Sequence, residues 1–316
     1  METPRPAAPR VTVLLPVHDA ERFLPEAVES ILAQSFRDFE LLAIDDGSRD
    51  GSAAIMDAYA SRDPRVRVVR LPHAGLVATL NAGLALARGE LIARMDADDV
   101  ALPKRLERQV ERLDRDPGLV CIGGSYEVID TRGRQIDAVR RPCDFEPILA
   151  ALLAGDSAVC HATAMYRRGA VIAVGSYNDS ARLAEDYDLW LRLAEAGRLE
   201  NLPEAVLRVR LHEHSESERH HAHQLEQTRR ICAQARRRRG LGEVETPIRP
   251  WRPLTDPVSR QQHLLGVSRS AWRLGERRTA IGYAMRALAT RPFSPWLLRY
   301  MGHELRRRVF RRGARA

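Results

Sequence analysis

Carboxylates are crowded at two places in this chain and paired at a third. Met95-Asp96-Ala97-Asp98-Asp99 sets three aspartates within four residues. Like charges this close repel unless a cation or hydrogen-bond donors offset them. Hard carboxylate oxygens suit Mg²⁺ or Mn²⁺, ions that commonly bridge protein to diphosphate. Helix capping by Asp99 is the plainer alternative, but it accounts for one aspartate and leaves two. Asp45-Asp46-Gly47-Ser48 is the second acidic stretch. A carboxylate here suits hydrogen bonds from a nucleobase N–H or a ribose hydroxyl, although Asp-Gly-Ser is also ordinary turn chemistry. Glu185-Asp186 is the pair, and helix first turns favour acids without any catalytic need. His220, His221 and His223 suggest zinc but lack a convincing partner set; a solvated helix start is the simpler reading.

The elements around these residues decide whether they meet. Val11 to Pro16 is a β-branched apolar run with a buried-strand pattern. Phe39 to Ile44, Val66 to Leu71 and Glu90 to Met95 repeat it. Between them, Glu21 to Gln34, Ser52 to Ser61 and Gly75 to Ala87 carry apolar residues at helical spacing, and a further helix is expected over Leu102 to Arg115. Such alternation predicts an α/β fold with a mostly parallel, twisted sheet flanked by helices. Ligands in such sheets bind beyond the carboxyl ends of the strands. Pro16-Val17-His18-Asp19, Asp45-Asp46 and Asp96 to Asp99 each follow a predicted strand, so all three should converge on one edge.

Beyond Asp116-Pro117-Gly118 the expected strands are Leu119 to Gly123, Tyr126 to Asp130, Gln135 to Val139 and Val206 to His212. A helix over Glu146 to Ala154, an extended Val159 to Tyr166 and an amphipathic helix from Leu183 to Ala196, stopped by Gly197, lie between them. Charge then divides the chain. Residues 1–218 carry a net −9 and residues 219–316 a net +17, which together make the overall +8. A uniformly basic nucleic-acid binder does not look like this, and nucleic acid is not expected as a partner. The basic region is helical by pattern, with a Pro-bearing linker near 240–257 and a helix pair at Ser259 to Leu274 and Arg277 to Thr290. Near its end, Leu297, Met301, Leu305 and Val309 fall at four-residue steps among arginines, a pattern suited to an anionic membrane surface. A soluble helix packed on the protein body with its arginines solvated explains it nearly as well. No apolar run approaches the roughly 20 residues of a transmembrane helix. Four scattered cysteines fit a reducing cytosol, and residues 1–10 are expected to be a disordered lead-in.

Taken together and in order, several pieces resemble family 2 glycosyltransferases over about Val11 to Ser217. They are Val11-Thr-Val-Leu-Leu-Pro-Val17, Ala33-Gln-Ser-Phe-Arg-Asp-Phe-Glu40, Asp45-Asp-Gly-Ser48, Asn81-Ala-Gly-Leu84, Asp96-Ala-Asp-Asp99 and Glu185-Asp-Tyr-Asp-Leu-Trp-Leu-Arg192. The resemblance implies a GT-A fold over 11–218 and metal-dependent, inverting transfer of a hexose-type sugar from a nucleotide donor. It implies that Pro16, Val17 and Asp19 line the nucleotide pocket and that Asp46 meets the base, at N3–H if the base is uracil. Asp98 approaches ribose or metal, with Asp99 or Asp96 ligating the metal. Asp186 matches the catalytic base, and His212 matches a metal- or diphosphate-contacting histidine ahead of a mobile loop. The family often has Tyr-Asn where this chain has His18-Asp19. The expected acceptor is a saccharide or a lipid-linked saccharide in cell-surface glycan synthesis, met in the cytoplasm at the inner membrane face. Two other readings compete. A sugar nucleotidyltransferase would want a Gly- and Lys/Arg-rich loop after the first strand, where Pro16-Val17-His18-Asp19 stands. A non-catalytic nucleotide-sugar-binding module would have lost the acidic cluster or the Glu-Asp pair, and both are present.

Overall fold

The computed structural model describes residues 8–212, 221–242 and 257–292. Its first half alternates as the apolar runs predict: β1 (Val11–Val17), α1 (Leu24–Leu32), β2 (Phe39–Asp46), α2 (Ser52–Ala60), β3 (Val66–Leu71), α3 (Leu76–Leu86) and β4 (Leu91–Arg94). All eight residues of β2 are buried, as expected of a strand covered on both faces. Helix α1 turns Leu24, Ala27, Val28 and Ile31 inward, the i, i+3, i+4, i+7 stripe of an amphipathic helix.

The chain continues through β5 (Val100–Ala101), α4 (Arg105–Asp114), β6 (Leu119–Ile129), β7 (Gln135–Val139), α5 (Phe145–Leu153), β8 (Met165–Arg167), α6 (Arg168–Ala173), α7 (Glu185–Ala196) and β9 (Arg198–Arg210). The sheet runs β3-β2-β1-β4-β8-β6-β9-β5, with β7 paired to β6. Strands β3, β2, β1 and β4 are mutually parallel. Beyond β4, the β4–β8, β8–β6 and β9–β5 pairs are antiparallel. The parallel half therefore carries the three acidic strand ends, and the antiparallel half closes around the acidic cluster.

Two glycine signals take a different meaning in three dimensions. Gly123-Gly124 reads as a break between strands, yet β6 runs through it unbroken. A Cβ at Gly123 would lie 2.2 Å from Asn201 Oδ1, and one at Gly124 2.7 Å from Val206 Cγ2, so the glycines permit the close approach of β9. Gly197 does end α7, but in an extended rather than a left-handed conformation. A Cβ there would lie 2.5 Å from Val120 Cγ1, and packing requires the glycine.

By its contacts the chain forms two compact units. The first comprises Met1–Glu127, Val139–Arg210 and Arg219–Arg249; the second comprises Val128–Ala138, Leu211–Glu218 and Pro250–Ala316. Helix α8 (His221–Arg238) opens the basic region, yet its Ile231, Cys232 and Ala235 join the core of the first unit with Trp190 and Leu152. In the second unit, α9 (Pro257–Arg273) and α10 (Arg277–Thr290) form the expected helix pair around Leu265 and Ala287. Gln261 Nε2 donates to Ala287 O and Arg291 O at 2.9 and 2.7 Å, satisfying carbonyls at the end of α10.

Candidate active site

The ends of β1, β2 and β4 lie side by side. Val17 is in register with Asp45, and Leu14 with Arg94, so Pro16, Val17, Asp46 and Asp96 reach the same edge of the sheet. Val17 is buried and Pro16 half-buried. The ladder between β1 and β4 stops at Leu14, so the missing N–H of Pro16 costs no bond on that side. Asp19 follows in a left-handed conformation, φ 46°, with Oδ1 accepting the Arg49 N–H at 2.7 Å.

The neighbouring aspartates at the end of β2 divide their work. Asp45 Oδ1 accepts the Ser48 N–H at 2.9 Å and makes the turn. Asp46 turns the other way, with Oδ1 accepting Ala74 N–H at 2.7 Å and Oδ2 accepting Gly75 N–H at 3.0 Å. These amides open α3, where a carboxylate is favoured. His18 and His73 flank Asp46, each with Nδ1 at hydrogen-bond distance from its carbonyl oxygen, 2.8 and 3.1 Å. Gly47, at φ 68°, turns the chain under them; a Cβ there would meet His73 N at 2.8 Å.

Asp96, Asp98 and Asp99 present carboxylate oxygens within 4.8 Å of one another. Three arginines hold this loop. Buried Arg94 pairs with Asp96 at 2.5 Å. Burial opposes its charge, but Asp96 more than restores it and raises the guanidinium above its ordinary range. Arg210, at the end of β9, donates its backbone N–H to Asp99 Oδ1 and its Nε–H to Asp98 O, both at 2.8 Å, while its Nη2 reaches Glu26. Arg105 lies beneath and donates to Arg94 O at 2.6 Å; burial lowers it to about 10. Asp99 Oδ2 is buried and accepts no hydrogen bond. Burial, then Asp98 and Asp96, push the Asp99 carboxyl well above its usual range. A buried oxygen left without a donor, beside two other carboxylates, fits a hard divalent cation.

Asp186 is the second residue of α7, with Oδ1 accepting the Tyr187 N–H at 2.7 Å. Burial raises its pKa, opposed by that amide and by Arg94; Asp96 adds to the rise. The acid pair thus shares an electrostatic neighbourhood with the acidic cluster. Glu185 is buried and pushed up to about 7 by burial and by Asp186. Just ahead of the pair, Leu183 holds φ 72°, and Arg182 reaches across to α3, where its Nη2 would lie 3.3 Å from a Cβ at Gly75. His212 is half-buried, two residues past Arg210. Of the histidines at the start of the basic region, His220 lies outside the described residues, and His223, within α8, has its Nε2 3.3 Å from Gln227 Nε2.

The sequence reading missed Arg94, Arg105, Arg182, Arg210 and His73. An arginine two residues before the acidic cluster, in Arg94-Met95-Asp96, is the signal the sequence offers; Arg210 and His73 are distant in sequence from the carboxylates they meet, and the placement of Arg105 and Arg182 depends on packing.

Residues 12–175 match the family described as "Glycosyl transferase family 2". The chain is 37% identical over 212 residues to EpsE of Bacillus subtilis (strain 168), which carries a glycosyltransferase name; the match covers 65% of this chain and 74% of EpsE. It is 31% identical over 210 residues to the O-antigen biosynthesis glycosyltransferase WbnJ of Escherichia coli, covering 65% of this chain and 81% of WbnJ. Among solved structures, the mannosyltransferase PcManGT of Pyrobaculum calidifontis with GDP-Man and Mn²⁺ superposes with a TM-score of 0.57 at 21% identity, covering 94% of this chain and 80% of that one. TarS 1-349 of S. aureus with UDP gives 0.56 at 18%, covering 83% and 72%. These likenesses carry the expected GT-A fold, and the sequence match carries more: this chain belongs to glycosyl transferase family 2 and is a glycosyltransferase.

Proposed function

We propose that this enzyme moves a sugar, with inversion, from a nucleotide-sugar donor of the UDP type to a hydroxyl of a saccharide or lipid-linked acceptor in cell-surface glycan synthesis. The observation that carries the reading is the loop Asp96–Asp99, whose Asp99 Oδ2 is buried without a donor beside two further carboxylates. Mg²⁺ or Mn²⁺ bound there supplies positive charge against the diphosphate as it departs. Asp96 is already paired to Arg94, so Asp98 and Asp99 are the better placed metal ligands and Asp96 the donor contact. For His212 as a further ligand the support is the resemblance alone. Pro16, Val17 and Asp19 line the nucleotide side, and Asp46 accepts from the base. Mn²⁺ with GDP-Man in PcManGT and UDP in TarS support the ligand class, and the O-antigen role in WbnJ's name supports the glycan class.

Asp186 then acts on the acceptor. Its carboxylate takes the proton of the attacking hydroxyl as the new bond forms at the anomeric carbon and the bond to the diphosphate breaks on the opposite face. Burial raises its pKa, which makes the carboxylate a stronger base. The nucleotidyltransferase reading falls with the family assignment.

Nucleotide release from a panel of UDP-, GDP- and dTDP-sugars, with and without Mn²⁺, tests the proposal. Turnover that needs the metal is expected; none with any donor sinks the reading. Asp186→Asn should lower transfer by roughly 10²–10⁴-fold and leave donor binding intact. Loss of donor affinity instead would remove Asp186 as the base.

A further inference from the structure

The three oxygen ligands at the end of β4 are not the sole cluster of cation-binding groups among the described residues. His18, Asp46 and His73 each offer one ligand atom, and these lie within 4.8 Å of one another. The imidazoles of His18 and His73 stack, with ring centroids 4.3 Å apart and planes 24° apart. His73 Nδ1 stands 3.1 Å from Asp46 Oδ2, close to the edge of about 3.3 Å for a tetrahedral zinc site with Zn–N near 2.05 Å. Asp19, in its left-handed conformation, carries Oδ2 3.8 Å from His18 Nε2. That distance is an ion-pair contact and not a hydrogen bond, and it adds negative charge beside the ring.

We infer that His18, Asp46 and His73 form a second cation site, selective for borderline transition ions such as Zn²⁺ or Co²⁺. The ligand types separate it from the acidic cluster. Imidazole nitrogen favours Zn²⁺, Co²⁺ and Ni²⁺, whereas an all-carboxylate set favours Mg²⁺ and Mn²⁺. Each Nδ1 donates to the Asp46 carbonyl oxygen when no cation is bound, so ligation requires the rings to turn out of that contact and tilt out of their stack. Their side chains are 42% and 59% exposed, so the tilt meets little packing. Asp46 itself is buried and held by two amides, and it anchors the site. The site coincides with the residue assigned above to the donor base. A transition ion there opposes nucleotide binding, a consequence that rests on that assignment.

Calorimetric titration of the metal-stripped full-length protein with Zn²⁺ tests this, comparing wild type with His18→Gln, His73→Gln and Asp98→Asn. Unchanged thermal unfolding without metal confirms that the surface histidine variants fold. One Zn²⁺ is expected to weaken in each histidine variant by at least roughly the tenfold that losing even an outer-sphere partner costs. It should be retained in Asp98→Asn. Zn²⁺ binding that is unchanged in both histidine variants overturns the site, whatever the histidines of residues 212–223 contribute. In a second arm, UDP serves as the probe. Its affinity should fall on adding Zn²⁺ to wild type but not to His73→Gln, and by linkage Zn²⁺ affinity should fall equally with UDP. A lost Zn²⁺ site without this coupling would fault the placement of the base at Asp46 and leave the cation site standing.

Discussion

At the residue scale, the candidate site is a set of carboxylates kept in different electrostatic states. Asp46 is held by two amides at a helix N-terminus, Asp96 by a buried arginine, and Asp99 by one amide with its second oxygen unpartnered. Glu185 sits buried at about 7, and the sign of its effect on stability follows. In the folded state it keeps its proton to higher pH than in the unfolded chain, whose ordinary value is 4.5. The folded protein therefore binds more protons between about pH 4.5 and 7, and stability falls as pH rises through that window. Urea unfolding at a series of pH values should show this fall in wild type and a shallower one in Glu185→Gln. Equal slopes would mean that Glu185 ionises normally.

At the element scale, helix α3 matters because it delivers the two amides that hold Asp46. Its seat on the sheet depends on Gly83: a Cβ there would lie 2.3 Å from Leu14 Cδ1 and 3.1 Å from Ile44 Cδ1. Both leucine and isoleucine are fully buried, so neither can yield without overpacking. Gly83→Ala should cost about 1–3 kcal/mol in denaturant unfolding, against the gain expected from helix propensity alone. A stabilised variant would show that α3 can lift without loss. The parallel strands and their helices were readable because each is a local apolar pattern of period two or 3.6. The antiparallel half was harder. Strand β5 has two residues and β8 three, too few for any period to register, and Gly123-Gly124 imitates a turn while serving a close strand contact.

At the scale of the whole molecule, charge divides the chain and is the reason to expect an anionic surface as partner. No described helix is long and apolar enough to cross a membrane. The arginine-flanked pattern from Leu297 to Val309 lies outside the described residues. Within the second unit, Ile281 and Met285 project from α10 at 57% and 60% exposure, with Arg277, Arg278 and Arg286 also exposed. Flotation with anionic liposomes should carry wild type upward, and Ile281→Asp with Met285→Asp, or removal of residues 297–316, should reduce it. Equal partitioning of all forms would dismiss the membrane expectation. The sequence by itself determined the family, the order of strands and helices, and the three acidic strand ends, since each rests on residues adjacent in the chain. Only the tertiary structure decided what each carboxylate faces. Arg210 meets Asp99 across 111 residues, and His73 joins His18 and Asp46 from separate loops. Ionisation and ligation depend on such distances and on burial, which no run of neighbouring residues specifies.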